Sequence, residues 1–99
     1  LLHCNIYRVL LTTIAIAMDA CVKNGLLNDA SRIMNDVDDK SKTRVMFNTL
    51  LSTYKFQGRG AEAEEMLRNM IDLSERGFRM CAPDSTTYAC CIYAVSDTL

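Results

Sequence analysis

Apolar residues recur along this chain at steps of three, four and seven. From Ile14 they fall at Ala17, Met18 and Cys21; from Phe47, at Leu50, Leu51 and Tyr54; from Tyr88, at Cys91, Ile92 and Val95. That spacing gathers them on one face of an α-helix. Extended alternation of β-branched residues is absent, and one proline and four glycines are the only strong punctuation, so helices carry most of the fold. They are predicted near 10–24, 27–38, 44–57, 60–75 and 85–97. Residues 1–10 either finish a preceding helix or extend the first one.

The likeness between stretches reaches past the stripe itself. Gly25 and Gly58 each follow their lead residue by eleven positions, where a positive φ lets a helix stop. Ala30 then matches Ala63, Ile33 matches Met66, Met34 matches Leu67 and Val37 matches Met70, all at an offset of 33. The unit is helix, glycine turn, helix, and its period is close to the ~34 residues of helical-hairpin arrays. The small alanines let paired helices approach closely, and the bulkier pairs fill the space between hairpins. The offset from Phe47 to Tyr88 is 41, so the second unit is longer. Its extra residues are read as an extended second helix to about Glu75, a stop at Gly77 and a loop ended by Pro83. Thr43 is the expected N-cap before Phe47, with Asp84 or Ser85 in that role before Tyr88. The organisation expected is a flank at 1–11, a degenerate hairpin at 12–43, a well-formed longer one at 44–84 and an opening helix at 85–99. Phe47, Leu51, Met66, Leu67 and Tyr88 are expected to be buried between hairpins, and apolar side chains near Ile6 and Val95 to be exposed.

Composition narrows the chemistry. Eleven Lys+Arg against twelve Asp+Glu leave a net charge of -1, which excludes a polybasic mode of binding phosphate or membrane. The longest uncharged run near the start, Val9–Met18, is too short to span a bilayer, which takes about 20 residues. The five cysteines are odd in number and lack a C-x-x-C pair, as expected of reduced thiols serving as small hydrophobes. His3-Cys4 has no second ligand pair, so no metal or other cofactor is expected. Asp38-Asp39 and Glu64-Glu65 are adjacent and point to different helix faces, unlike a catalytic dyad. With one histidine and no nucleophile–base spacing, no active site is expected within these residues. The chain begins Leu1-Leu2 and ends mid-pattern at Leu99, which reads as a piece of a longer array with any targeting segment elsewhere.

The stretch Val45-Met46-Phe47-Asn48-Thr49-Leu50-Leu51-Ser52-Thr53-Tyr54, followed by Gly58-Arg59, Ala63, Met66-Leu67, Met70 and Ala82-Pro83-Asp84, resembles the pentatricopeptide repeat family. It is similar to that family's aromatic-Asn-Thr-Leu opening, Gly-Arg turn, second helix and Pro-Asp ending. Ala20 to Gly25 with Ala30 and Val37 resembles a more degenerate copy, and Ser85 to Leu99 the opening of a third. The resemblance implies an all-α fold, a right-handed α-solenoid of stacked antiparallel helix hairpins, that binds single-stranded RNA in a mitochondrion or chloroplast. It also implies that each copy reads one base with two side chains: the residue after the lead position and the last residue of the repeat. Those positions hold Asn48 with Asp84, Ala15 with Thr43, and Ala89 in the third copy. Asn offers a donor and an acceptor to a base edge, and a carboxylate orients such a partner. Ala15 and Ala89 carry no hydrogen-bonding group.

Charge placement is sided. The predicted second helices and their ends carry Asp29, Asp36, Asp38, Asp39, Glu62, Glu64, Glu65, Asp72 and Glu75 against Arg32 and Arg68, while the first helices carry Lys23 and Lys55 near their ends. Those lysines are candidate phosphate contacts, and equally suit the helix C-terminal dipole. The rival expectation is a tetratricopeptide-like scaffold that cradles a protein partner. Asn48 and Pro83-Asp84 favour RNA; the near-neutral charge and the two alanines favour protein. A scaffold attached to a catalytic domain outside these residues is a third possibility.

Overall fold

The computed structural model describes residues 2–96, with side chains from Ile6 onward. Among the described residues there are five helices: α1 (Leu2–Lys23), α2 (Leu27–Asp36), α3 (Arg44–Gln57), α4 (Gly60–Glu75) and α5 (Ser85–Ser96). Short 3₁₀ turns lie at Asp39–Ser41 and Arg79–Cys81, and there is no strand. The helices of the second unit, α3 and α4, have their predicted bounds. Residues 2–10 extend the first helix, the second of the two alternatives. The predicted end of the fifth helix at Asp97 lies outside the described residues, as do the side chains of His3 and Cys4.

Both hairpins close through the same turn. Gly25 has φ 74° and Gly58 φ 65°, a left-handed backbone that a Cβ disfavours. This reverses the chain so that the N–H of Leu26 donates to the Cys21 carbonyl (2.7 Å) and that of Arg59 to the Tyr54 carbonyl (2.9 Å). These bonds occupy carbonyls that a helix end leaves without partners. Only two or three residues separate the helices of each hairpin, which makes them antiparallel neighbours. The second helix of the first unit is shorter than predicted, because α2 stops at Asp36 and Val37 is extended. Asp36, Asp38 and Asp39 crowd negative charge at a helix C-terminus, where the dipole opposes it.

Two layers result. The layer of α1, α3 and α5 packs side by side, and α2 and α4 cover its other face, with α4 touching both α3 and α5. The smallest dimension, 20 Å, is two helix diameters. Ala30 and Ala63 are fully buried, as are Met18, Met46, Leu51 and Met70; Phe47 is buried between α2 and α4, near Met34, Met66 and Leu73.

Tyr88 departs from expectation. It is 46% exposed, and the buried face of α5 is Thr87, Cys90, Cys91 and Ala94. Phe47 has a second helix on each side of it, whereas α5 has one, α4, among the described residues. The face turned toward α3 and α4 is therefore covered, and the stripe of Tyr88 and Ile92 is not. Met66 and Leu67 are half-buried for a related reason. Leu67 borders an open apolar groove with Cys91, Ile92 and Val95, whereas its counterpart Met34 is buried. At the other end Ile6, Tyr7, Val9, Leu10 and Ile16 of α1 are exposed. Val95, expected to be exposed, is half-buried in that groove.

Candidate nucleic-acid interface

Asn48 lies one turn into α3, and Asp84 directly precedes α5. Although 36 residues separate them, the Asn48 Nδ2 donates to Asp84 Oδ1 at 3.4 Å. Their meeting follows from the start of α5. Asp84 and Thr87 cap it reciprocally: the Thr87 N–H donates to the Asp84 carboxylate at 3.0 Å, and the Asp84 N–H donates to the Thr87 hydroxyl at 3.1 Å. This is a capping box with threonine in the usual place of Glu or Gln. It fixes the Asp84 carboxylate where α5 runs along α3.

Thr87 is fully buried and is the third member of the pair. Its hydroxyl lies 2.7 Å from Asn48 Oδ1 and 2.9 Å from Asp84 Oδ1. One proton serves one acceptor at a time, and the shorter contact gives it to Asn48. The amide is thereby oriented, with its oxygen toward Thr87 and its nitrogen toward the carboxylate. Arg44 adds a charge, its guanidinium lying 3.8 Å from Asp84 Oδ2 while its Nε donates to the Ala82 carbonyl. The hydrogen bond from the Thr87 N–H, with that from Asn48 and the charge of Arg44, holds the Asp84 carboxyl below its ordinary range.

Around this node the surface is concave. A hollow of about 290 Å³ is bordered by Thr43, Arg44, Val45, Asn48, Arg79, Met80 and Asp84. A second hollow lies toward α1, bordered by Asp19, Val22, Val45, Asn48, Thr49 and Ser52. Val45 and Asn48 thus form the ridge between two depressions, and Val45 is 62% exposed.

The other candidate residues are placed differently. Thr43 caps α3, its hydroxyl accepting the Met46 N–H at 3.5 Å, so it stands at the start of α3 as Asp84 stands at the start of α5. Ala15, its half-buried partner position on α1, has no polar group to meet it. Ala89 is exposed on α5. Lys23 is paired with Asp19 at 2.9 Å, and that hydrogen bond raises its pKa. Lys55 lies over two aromatic rings, Phe56 and Tyr93. The sequence reading missed Thr87, Arg44 and Arg79. An Asp-x-x-Thr spacing before a helix is a legible cap signal for Thr87; the two arginines reach the node only through tertiary packing.

A two-layered stack of helix hairpins with a polar node on its first-helix layer is a binding scaffold. Residues 16–41 and 45–74 match the family model of the PPR repeat. The matches take in more than half of the chain, which therefore belongs to the pentatricopeptide repeat family, helical repeat proteins generally linked to RNA binding. These repeats are typically non-catalytic scaffolds. No curated protein and no solved structure matches the chain significantly. No described helix is long and apolar enough to cross a membrane, the 22-residue α1 included.

Proposed function

We propose that the chain binds single-stranded RNA along the layer of α1, α3 and α5, and that its second unit reads one base through Asn48 and Asp84. The observation that carries this reading is the 3.4 Å contact between those side chains at the edge of a concave surface. With the Asn48 oxygen engaged by Thr87, its second Nδ2 hydrogen and the remaining lone pairs of Asp84, chiefly on Oδ2, are left for a ligand. A donor beside an acceptor complements a base edge offering an acceptor beside an N–H, as uracil and guanine do. The family's association of Asn with Asp points to uracil. Val45 supplies an apolar surface for the face of that base. The first unit, with Ala15 and Thr43, and the third, with Ala89, contribute binding surface and little discrimination. Lys23 and Lys55 supply positive charge to the backbone. The cellular setting that fits the family is RNA processing or expression in a mitochondrion or chloroplast.

The test is binding to RNAs that differ at one base, with Asn48→Ala compared to the parent chain. Loss of direct readout removes about 1–3 kcal/mol of discrimination at a single position. Unchanged binding of Asn48→Ala to every RNA, together with loss of a peptide partner, would replace this reading with the protein-interaction scaffold.

A further inference from the structure

The first-helix layer does not end at the Asn48 node. One turn past Ser52, on the same side of α3, stands Phe56, which is 81% exposed and the most exposed large apolar side chain among the described residues. On α5 the 41-residue offset puts Ala89 in register with Asn48 and Tyr93 in register with Ser52. Tyr93 is 56% exposed. Between the two rings lies Lys55, its Nζ 5.3 Å from the Phe56 centroid and 5.0 Å from that of Tyr93. Neither ring contributes much to the core. Their exposure leaves two aromatic faces and one ammonium together on the same side of the molecule as Asn48.

This combination has a specific chemical meaning. Aromatic faces stack on any nucleobase, and a neighbouring cation attracts the phosphate that follows it. We propose that Phe56, Tyr93 and Lys55 form a stacking site for one unpaired nucleotide that lies beyond the one read at Asn48. Eight residues of helix separate Asn48 from Phe56, about 12 Å at the rise of an α-helix, so one base does not occupy both places. The site is indifferent to sequence, because every base has a π face and no hydrogen-bonding side chain is needed. It therefore supplies affinity, while Asn48 supplies choice. Lys55 lies over the two rings, whereas Lys23 is paired with Asp19.

This inference rests on the RNA reading above, and its test separates the two. The chain is titrated into fluorescent single-stranded oligouridine and oligoadenosine at several salt concentrations. Phe56→Ala and Tyr93→Ala are expected to weaken both RNAs alike, each by about tenfold, with base preference, salt slope and the circular-dichroism melting curve unchanged. Tyr93→Phe binds as the parent does. Lys55→Ala flattens the salt dependence by about one ion. If Phe56→Ala and Tyr93→Ala bind like the parent while Asn48→Ala loses its preference, the stacking site is wrong and the base-reading site stands. If the parent chain binds neither RNA, both are overturned.

Discussion

Replacing Thr87 by valine keeps its shape and deletes its hydroxyl, and the structure gives the cost. That hydroxyl accepts the Asp84 N–H at 3.1 Å and donates to Asn48 Oδ1 at 2.7 Å, within a side chain that is fully buried. Each partner left without a bond forfeits about 1 kcal/mol where water reaches it and up to ~3 kcal/mol where it does not. Asn48 and Asp84 are half-buried, so a total of about 2 kcal/mol is expected. In a domain of this size that lowers Tm by on the order of 10 °C. Thr87→Ser keeps the hydroxyl and loses one buried methyl, a loss of about 1 kcal/mol. The order of stability is therefore wild type, then serine, then valine, read from urea unfolding with an unchanged m-value. Valine within ~0.5 kcal/mol of wild type, or serine less stable than valine, would show that Thr87 acts by packing and that the node is not held by its hydroxyl.

Two further outcomes follow from the same geometry. Because folding lowers the pKa of Asp84, chiefly through the Thr87 N–H, the unfolded chain binds the extra proton near the ordinary carboxylate pKa of about 3.9. Its contribution is present above that value and fades as pH falls through the lower folded-state pKa; Asp39 and Glu62 shift in the same direction. Unfolding followed from pH 7 to 2 should show stability dropping in the acid range, with Asp84→Asn flattening the drop. Burial pushes the Cys81 and Cys91 thiols up, and both donate to carbonyls, of Lys42 at 3.2 Å and Ala63 at 3.6 Å. Mass spectrometry after brief native alkylation should therefore find Cys21, which is half-buried, modified well before either; equal labelling would contradict the packing described.

The second unit was legible because its ends are written in local chemistry. Thr43 caps α3, Gly58 ends it, and Gly77 ends the run of α4. The start of α1 was not legible, since nothing in residues 1–10 interrupts a helix or requires one. Periodicity placed Tyr88 on an apolar stripe correctly but not in the core, because which side of a stripe is covered depends on neighbouring helices. The pairing of Asn48 with Asp84 came from the family pattern and not from spacing. The reason they meet lies in Thr87 and Arg44, whose contacts across 39 and 38 residues leave no periodic trace.

Arg44 ties the first turn of α3 to the Ala82 carbonyl and the Asp84 carboxylate, so the end of the second unit is pinned to its beginning. The distance from the start of α3 to the start of α5 is then set by how closely the two helices lie side by side, about 8–10 Å for packed helices, and not by how much chain runs between them. Residues inserted between Met70 and Ala82 lie on the far side of that tie, so under the proposed reading a longer unit need not lose its place along the RNA.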